Sequence, residues 1–262
     1  MHVTKIFEQW GLGFSGCDGG DLGSPTNRSV WVCGIEWGGG HELEGLLRHM
    51  HEDMAVVPAG YSCWKENISY IFNWQIMKLL TALAGENVSD YKKFAETEKP
   101  FIEGSYGYFK MNLYPIAFRN TASSNWKSEF SQITGFPSKS EYLTWCKEFR
   151  LPQIRQWAQE NKPEIIICLG KTYIDDFTAA FASPDDEFIT ETFDGREINW
   201  AVNADGTLVV VLPFMVNRNG LVRNITIQKV GDHIKQLRHW LTEAGHGERA
   251  RQNSNFQVDS TA

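Results

Sequence analysis

Four short apolar runs constrain this chain more than any other feature: "VWVCGIE" (30–36), "YGYFKMNLYPIAF" (106–118), "PEIIICLGK" (163–171) and "TLVVVLPF" (207–214). They are rich in β-branched or aromatic residues and end near Gly or Pro, which suits strands buried on both faces. Stretches with helical spacing separate them. "WKENISYIFNWQIMKLLTALAG" (64–85) lines up Ile68, Ile71, Phe72, Ile76, Leu79, Leu80 and Leu83 in one stripe and stops at Gly85. "KIFEQWG" reads as a short helix before a long loop. "HELEGLLRHMHEDM", "SKSEYLTWCKEFRLPQIRQWAQENK", "TYIDDFTAAF" and "NITIQKVGDHIKQLRHWLTEAG" are helical too, with Pro152 marking a break or a new start. Asp194-Gly195 and Asp205-Gly206 are tight-turn dipeptides, so two further strands lead into the fourth apolar run.

This alternation predicts an α/β fold: a three-layer α/β/α sandwich around a central, mainly parallel four-stranded sheet, plus a short extra hairpin. No repeat or linker divides the chain. Residues 1–245 are expected to form a single domain, and "HGERARQNSNFQVDSTA" (246–262) a polar, disordered tail.

The net charge of −7 over 262 residues argues against a generic polyanion binder, yet leaves room for a local basic groove. The five cysteines (17, 33, 63, 146, 168) contain no CxxC pair. Cys33 and Cys168 fall inside apolar runs and read as buried, reduced thiols. No stretch approaches the roughly 18 apolar residues of a spanning helix, and no signal-type segment follows the early lysine. An intracellular, cytoplasmic protein without membrane contact is expected.

In sheets of this kind, ligands bind outside the carboxyl ends of the strands. After the first run come Glu36, Trp37 and three glycines, 38 to 40, which can admit close backbone approach by an anion beside a carboxylate able to orient a water. In the second run, Asn112 is a polar residue in an apolar strand, and its amide can both donate and accept. The third ends in Gly170-Lys171, a strand-to-helix turn with a lysine in reach of a phosphate. The fourth opens into "LPFMVNRNGLVRN". From Asn217 to Arg238 there are five basic residues (218, 223, 229, 235, 238) and one acidic residue, Asp232, a local reversal of the chain's charge. Arginines on a loop at a sheet end suit phosphate contacts. Taken singly, each feature is equally compatible with a turn, a capped backbone or a solvated face.

Together, the four stretches resemble the motifs of the uracil-DNA glycosylase superfamily in order and spacing, over roughly residues 28 to 240. The closest likeness is to its single-strand-selective monofunctional and mismatch-type branches. "VCGIEWGG" is similar to the first motif, with Glu36 where those enzymes carry Asn or Asp. "FKMNLYPIAF" is similar to the strand whose asparagine reads the uracil edge, and it is the most specific match. "VVVLPFMVNRNG" lies where the family has its His-Pro-Ser loop. Departures are plain. Trp37 stands in the place of a proline, Leu212-Pro213-Phe214-Met215 contains no histidine, and the four cysteines of the iron–sulfur branches are not present.

The resemblance implies a monomeric DNA-repair hydrolase, active without metal or cofactor in the cytoplasm or on the nucleoid, that excises uracil or another deaminated base from single- or double-stranded DNA. Base flipping would present the base to Asn112, which reads its Watson–Crick edge. Trp37, Tyr61 or Trp64 would stack on it, and Gly34, Gly38 and Gly39 would let the nucleotide approach the backbone. Glu36 would hold a water against C1′ and stabilise the cationic sugar. Asn217, the second catalytic candidate, and Arg218 would contact the leaving base or adjacent phosphates, with Arg223 and Lys171 adding phosphate contacts. Two rivals stand beside this reading. One is a catalytically silent relative that binds nucleic acid or a protein partner. The other is an unrelated α/β enzyme acting on a small nucleotide, with Asp18, Asp21 and His41 in "GCDGGD" and "GGGHE" as metal or anion ligands.

Overall fold

The computed structural model describes residues 3–38, 40–52, 55–118 and 126–243. Gly39 and the 246–262 tail lie outside them. The chain opens with α1 (Lys5–Leu12), capped by the Thr4 side chain, and three two-residue strands, β1 (Gly19–Gly20), β2 (Gly23–Ser24) and β3 (Asn27–Arg28). It then alternates through β4 (Val30–Gly34), α2 (Leu43–Met50), α3 (Trp64–Asn67), α4 (Ile71–Ala84), α5 (Tyr91–Glu98) and β5 (Tyr108–Asn112). Next come α6 (Ser128–Thr134), α7 (Lys139–Trp145), α8 (Leu151–Asn161), β6 (Ile165–Leu169) and α9 (Ile174–Phe181). The hairpin β7 (Ile189–Phe193) and β8 (Arg196–Val202), then β9 (Leu208–Leu212) and α10 (Asn224–Glu243), complete it.

The four expected strands are adjacent and parallel, in the order β5-β4-β6-β9. Antiparallel β1 on one side and β8-β7 on the other extend the sheet to seven strands, and β2-β3 forms a separate ribbon. The expected four-stranded parallel core is therefore present, and three antiparallel strands beyond it enlarge the sheet. The hairpin at 189–202 is no appendage. It pairs with β9 through β8, and its Asp194-Gly195 turn places both residues at positive φ, as a two-residue turn matching strand twist requires.

Alternate side chains of each central strand enter opposite layers. Trp31, Cys33, Phe109, Met111, Ile166, Cys168, Val209 and Val211 face α1, α2 and α6–α9. Val32, Ile165, Ile167, Leu169, Val210 and Leu212 face α4, α5 and α10. Burial on both faces is why these runs are continuously apolar instead of alternating. Cys33 and Cys168 are fully buried free thiols, as expected. No described helix is long and apolar enough to cross a membrane.

Two helical expectations need correction. The 64–85 stretch is two helices, because the chain turns at Ile68–Tyr70 and restarts at Ile71. Ile71, assigned to the buried stripe, is 57% exposed, whereas Asn73, Gln75, Lys78 and Thr81 are buried. α4 packs against both the sheet and α10, with Gly231 fitted against Ala82, so its buried surface exceeds one stripe. The 138–162 stretch runs on through a π-helical turn at Cys146–Arg150, and α8 starts immediately after it with Pro152 in its first turn.

Candidate functional site

Because β5, β4, β6 and β9 are parallel, their carboxyl ends share one edge of the sheet. β4 crosses to β5 on one side and β6 crosses to β9 on the other. In sheets of this kind, such a reversal marks the place where ligands bind, and here the segments that follow β4 and β6 flank it.

Gly34 and Asn112 face each other in register at the ends of β4 and β5. A Cβ on Gly34 would lie 2.3 Å from Asn112 Oδ1 and 3.7 Å from the Phe72 ring. Glycine is thus needed here to admit the asparagine. Asn112 is buried, and its Nδ2 donates to the Gly16 carbonyl at 3.0 Å. That carbonyl also accepts from the Asn112 backbone N–H. The end of α1 and the loop that follows it to Gly16 are held by Arg150, a fully buried guanidinium that donates to the carbonyls of Gly11, Gly13, Ser15 and Leu113. Phe72 stands beside this pair and meets Phe214 at 5.5 Å between centroids. Both had looked like ordinary core aromatics.

Glu36 follows two residues after Gly34 and takes different partners. Its Oε2 lies 3.8 Å from Lys139 Nζ, and both side chains are buried, 10% and 3% exposed. Lys139 Nζ also sits 3.8 Å over the centroid of Phe118 and has no hydrogen-bond partner among the described residues. Burial pushes the Glu36 carboxyl up to about 7, against the opposing pull of the Lys139 charge. Burial likewise holds the Lys139 amine below its ordinary range, with Glu36 opposing.

Trp37 is anchored. Its indole Nε1 donates to Asp18 Oδ2 at 3.2 Å. The same carboxylate accepts from Tyr61 Oη at 2.6 Å and pairs with Lys110 Nζ at 3.0 Å. Asn73 Nδ2 and Lys110 Nζ donate to the Tyr61 oxygen, and Asn73 also donates to Asn67 Oδ1. Burial, reinforced by Asp18, raises the Tyr61 phenol far above its ordinary range, so it stays a donor. Tyr61 and Trp64 pack against the α4-side core, and Lys65 lies over the Trp64 ring at 5.5 Å. Gly38 is exposed, and a Cβ there would meet nothing within 4 Å.

The proposed metal trio does not assemble. Asp18 is committed as above, and Asp21 accepts from Gly23 N, Ser29 Oγ and Gly107 N. His41 Nδ1 accepts from Ala117 N, and its Nε2 lies 3.1 Å from His49 Nδ1. Burial first, then His49, holds His41 down to about 4. Among the described residues, no group of three such side chains is placed to hold a metal ion.

Beyond β6, the loop after β9 closes on itself through Leu221 N to Phe214 O and Gly220 N to Asn217 O, both 2.9 Å. Its tip presents Asn217 and Arg218 to solvent, and Arg223 is exposed ahead of α10. Arg196 of β8 donates to the Gly220 carbonyl at 3.0 Å, so the hairpin braces the loop. Lys171 is exposed and pairs with Glu197 at 2.7 Å. Beside α2, a cleft of about 220 Å³ is lined by Gly40, His41, Glu42, Ala117, Phe118, Lys127 and Phe130, so that Phe118 separates it from Lys139.

Lys110, Lys139 and Arg150 escaped the sequence reading, which placed Phe72 in an apolar stripe and Asp18 among candidate metal ligands. Lys110 carried a usable signal, a lysine two residues before Asn112 in a buried strand. Lys139 carried none, since "SKSEY" reads as an ordinary exposed helix start. These features define an α/β/α protein with polar and charged side chains gathered at the carboxyl ends of its parallel strands. No family model matches the chain, and no curated protein matches it.

Proposed function

We propose that the protein hydrolyses the N-glycosidic bond of a deaminated base in DNA. The observation that carries this reading is the in-register pairing of Gly34 with Asn112, with the Phe72 ring alongside and Glu36 two residues beyond. Asn112 keeps Oδ1 and its second amide hydrogen for the edge of a base while Gly16 holds the first. Phe72 joins Trp37, Tyr61 and Trp64 as a stacking ring. In the reaction, a water oxygen bonds C1′ as the C1′–N bond breaks, and the bonding pair leaves with the base. Glu36 takes a proton of the water and gives it up through solvent to the departing base, which restores the carboxylate. A carboxyl that titrates near 7 is matched to such transfer at neutral pH. Asn217, Arg218 and Arg223, exposed on the braced loop, would meet the leaving base and phosphates.

A second reading, a binder without catalysis, is favoured by the tether of Trp37 to Asp18 and the absence of a histidine from Leu212–Met215. One assay separates the two. Oligonucleotides carrying uracil or hypoxanthine, single- and double-stranded, are incubated with the protein and scored for alkali-labile abasic sites. The glycosylase reading expects cleavage that Glu36→Gln lowers by at least about 100-fold. Salt-sensitive binding without cleavage of any substrate points to the silent binder, and absence of binding overturns both.

A further inference from the structure

Among the described residues, the buried Glu36 carboxylate pairs with a single cation, Lys139, which has almost no other partner. Lys139 Nζ makes no hydrogen bond among the described residues, lies on the Phe118 ring, and reaches Glu36 at 3.8 Å. An ammonium buried with three unused donors carries a desolvation cost that structural lysines avoid by pairing fully. At 3.8 Å the contact is longer than an ordinary hydrogen bond, and the two groups act on each other chiefly through charge. We propose that Lys139 is a positioning residue for Glu36, holding the carboxylate ionised and in place so that it can serve as a base.

Other groups around Glu36 do not supply this charge. Tyr142, also from α7, is kept protonated by its burial, and its oxygen accepts from Ile116 N. Phe118 is apolar. On the Glu36 side of the loop, Trp37 intervenes before His41 and His49, whose rings lie 6.0 and 6.5 Å from its own. The Lys127–Glu42 pair is solvent-exposed and self-neutralising. An opposite charge within about 4–6 Å lowers a carboxyl by about one to three pH units, enough to decide whether Glu36 is a base or an acid at neutral pH.

The inference rests on the reading of Glu36 as the water-holding base, but its test does not need activity. Glutamate carboxyls are labelled with carbon-13 and titrated by NMR, with Glu36→Gln identifying the resonance. In Lys139→Met, the Glu36 midpoint is expected to rise by at least about one pH unit above its wild-type position. The reciprocal measurement follows the Lys139 amine in Glu36→Gln, where loss of the carboxylate should lower its midpoint. This second titration decides the matter even if Lys139→Met does not fold. An unmoved Glu36 midpoint in a folded Lys139→Met protein, or an unmoved Lys139 midpoint in Glu36→Gln, overturns the inference. If oligonucleotides are cleaved, the acid limb of the activity profile should shift to higher pH in Lys139→Met without a matching change in KM. Coupled titrations in a protein that cleaves nothing would instead retain this inference and sink the glycosylase reading alone.

Discussion

Two buried lysine–carboxylate pairs flank the end of β4, and they are built in opposite ways. Lys110 and Asp18 touch at 3.0 Å, and Tyr61 and Trp37 complete the shell of the carboxylate. Lys139 and Glu36 stand 3.8 Å apart, with the ammonium lacking any hydrogen bond among the described residues. A charge pair taken out of water is tolerable when hydrogen bonds replace the lost hydration, and the first pair meets that condition. The second does not, and its carboxyl is correspondingly driven to about 7. The contrast separates a structural pair, which fixes Trp37 and the loop before β1, from a poised pair whose protonation is easily moved.

Removing one partner from each pair should break the contrast if it is wrong. Lys110→Met strands the Asp18 charge and should cost about 3–5 kcal/mol in urea unfolding. Lys139→Met, measured below pH 7 where Glu36 can take a proton, should cost about 1.5 kcal/mol or less. Equal losses would show that both pairs are structural.

The next effect concerns the two glycines around Glu36. Gly34→Ala drives a Cβ to 2.3 Å from Asn112 Oδ1 and should lose about 1–3 kcal/mol. Gly38→Ala meets open space and should change stability by about 0.5 kcal/mol or less, while weakening oligonucleotide binding if that segment receives a nucleotide. A destabilised Gly38→Ala protein with unchanged binding would assign Gly38 to the fold.

The smallest effect is a pH slope. Folded Glu36 keeps its proton up to about 7, whereas an ordinary glutamate releases it near 4.5. Its share of stability is therefore full below about 4.5 and is lost as pH rises through about 7. His41 works the other way, its share being full above 6.5 and lost as pH falls through about 4. The stability of wild type relative to Glu36→Gln should thus fall as pH rises across that first window, in urea titrations of both proteins. A flat difference would mean that Glu36 is solvated like any surface acid.

Much of the fold was legible because it depends on local pattern. Continuous apolar runs with intervening helices give a parallel sheet whatever the long-range detail, and Asp194-Gly195 specifies its own turn. Of the edge, Glu36, Asn112 and the basic loop were legible as polar or charged residues at strand ends. Their relationships were not. Asn112 reads as a possible base contact, yet only the close approach of Gly16 and Gly34 fixes which of its atoms remain unused. The 64–85 stretch reads as one helix, because the Ile68–Tyr70 turn follows from packing of α3 and α4 and from the Asn67 contact with Pro100, at 2.9 Å, not from a local breaker.

By itself, then, the sequence determined the α/β class, the four parallel strands, and the gathering of their polar ends at one edge. Tertiary structure alone decided that Lys139, 103 positions along the chain from Glu36, lies against it, that Lys110 neutralises Asp18, and that β7-β8 joins the sheet to brace the Asn217–Arg223 loop. The physical reason is one of range. Backbone preference and periodicity are written within a few residues of each position. Burial and charge coupling depend on distances between segments that only the packed core sets.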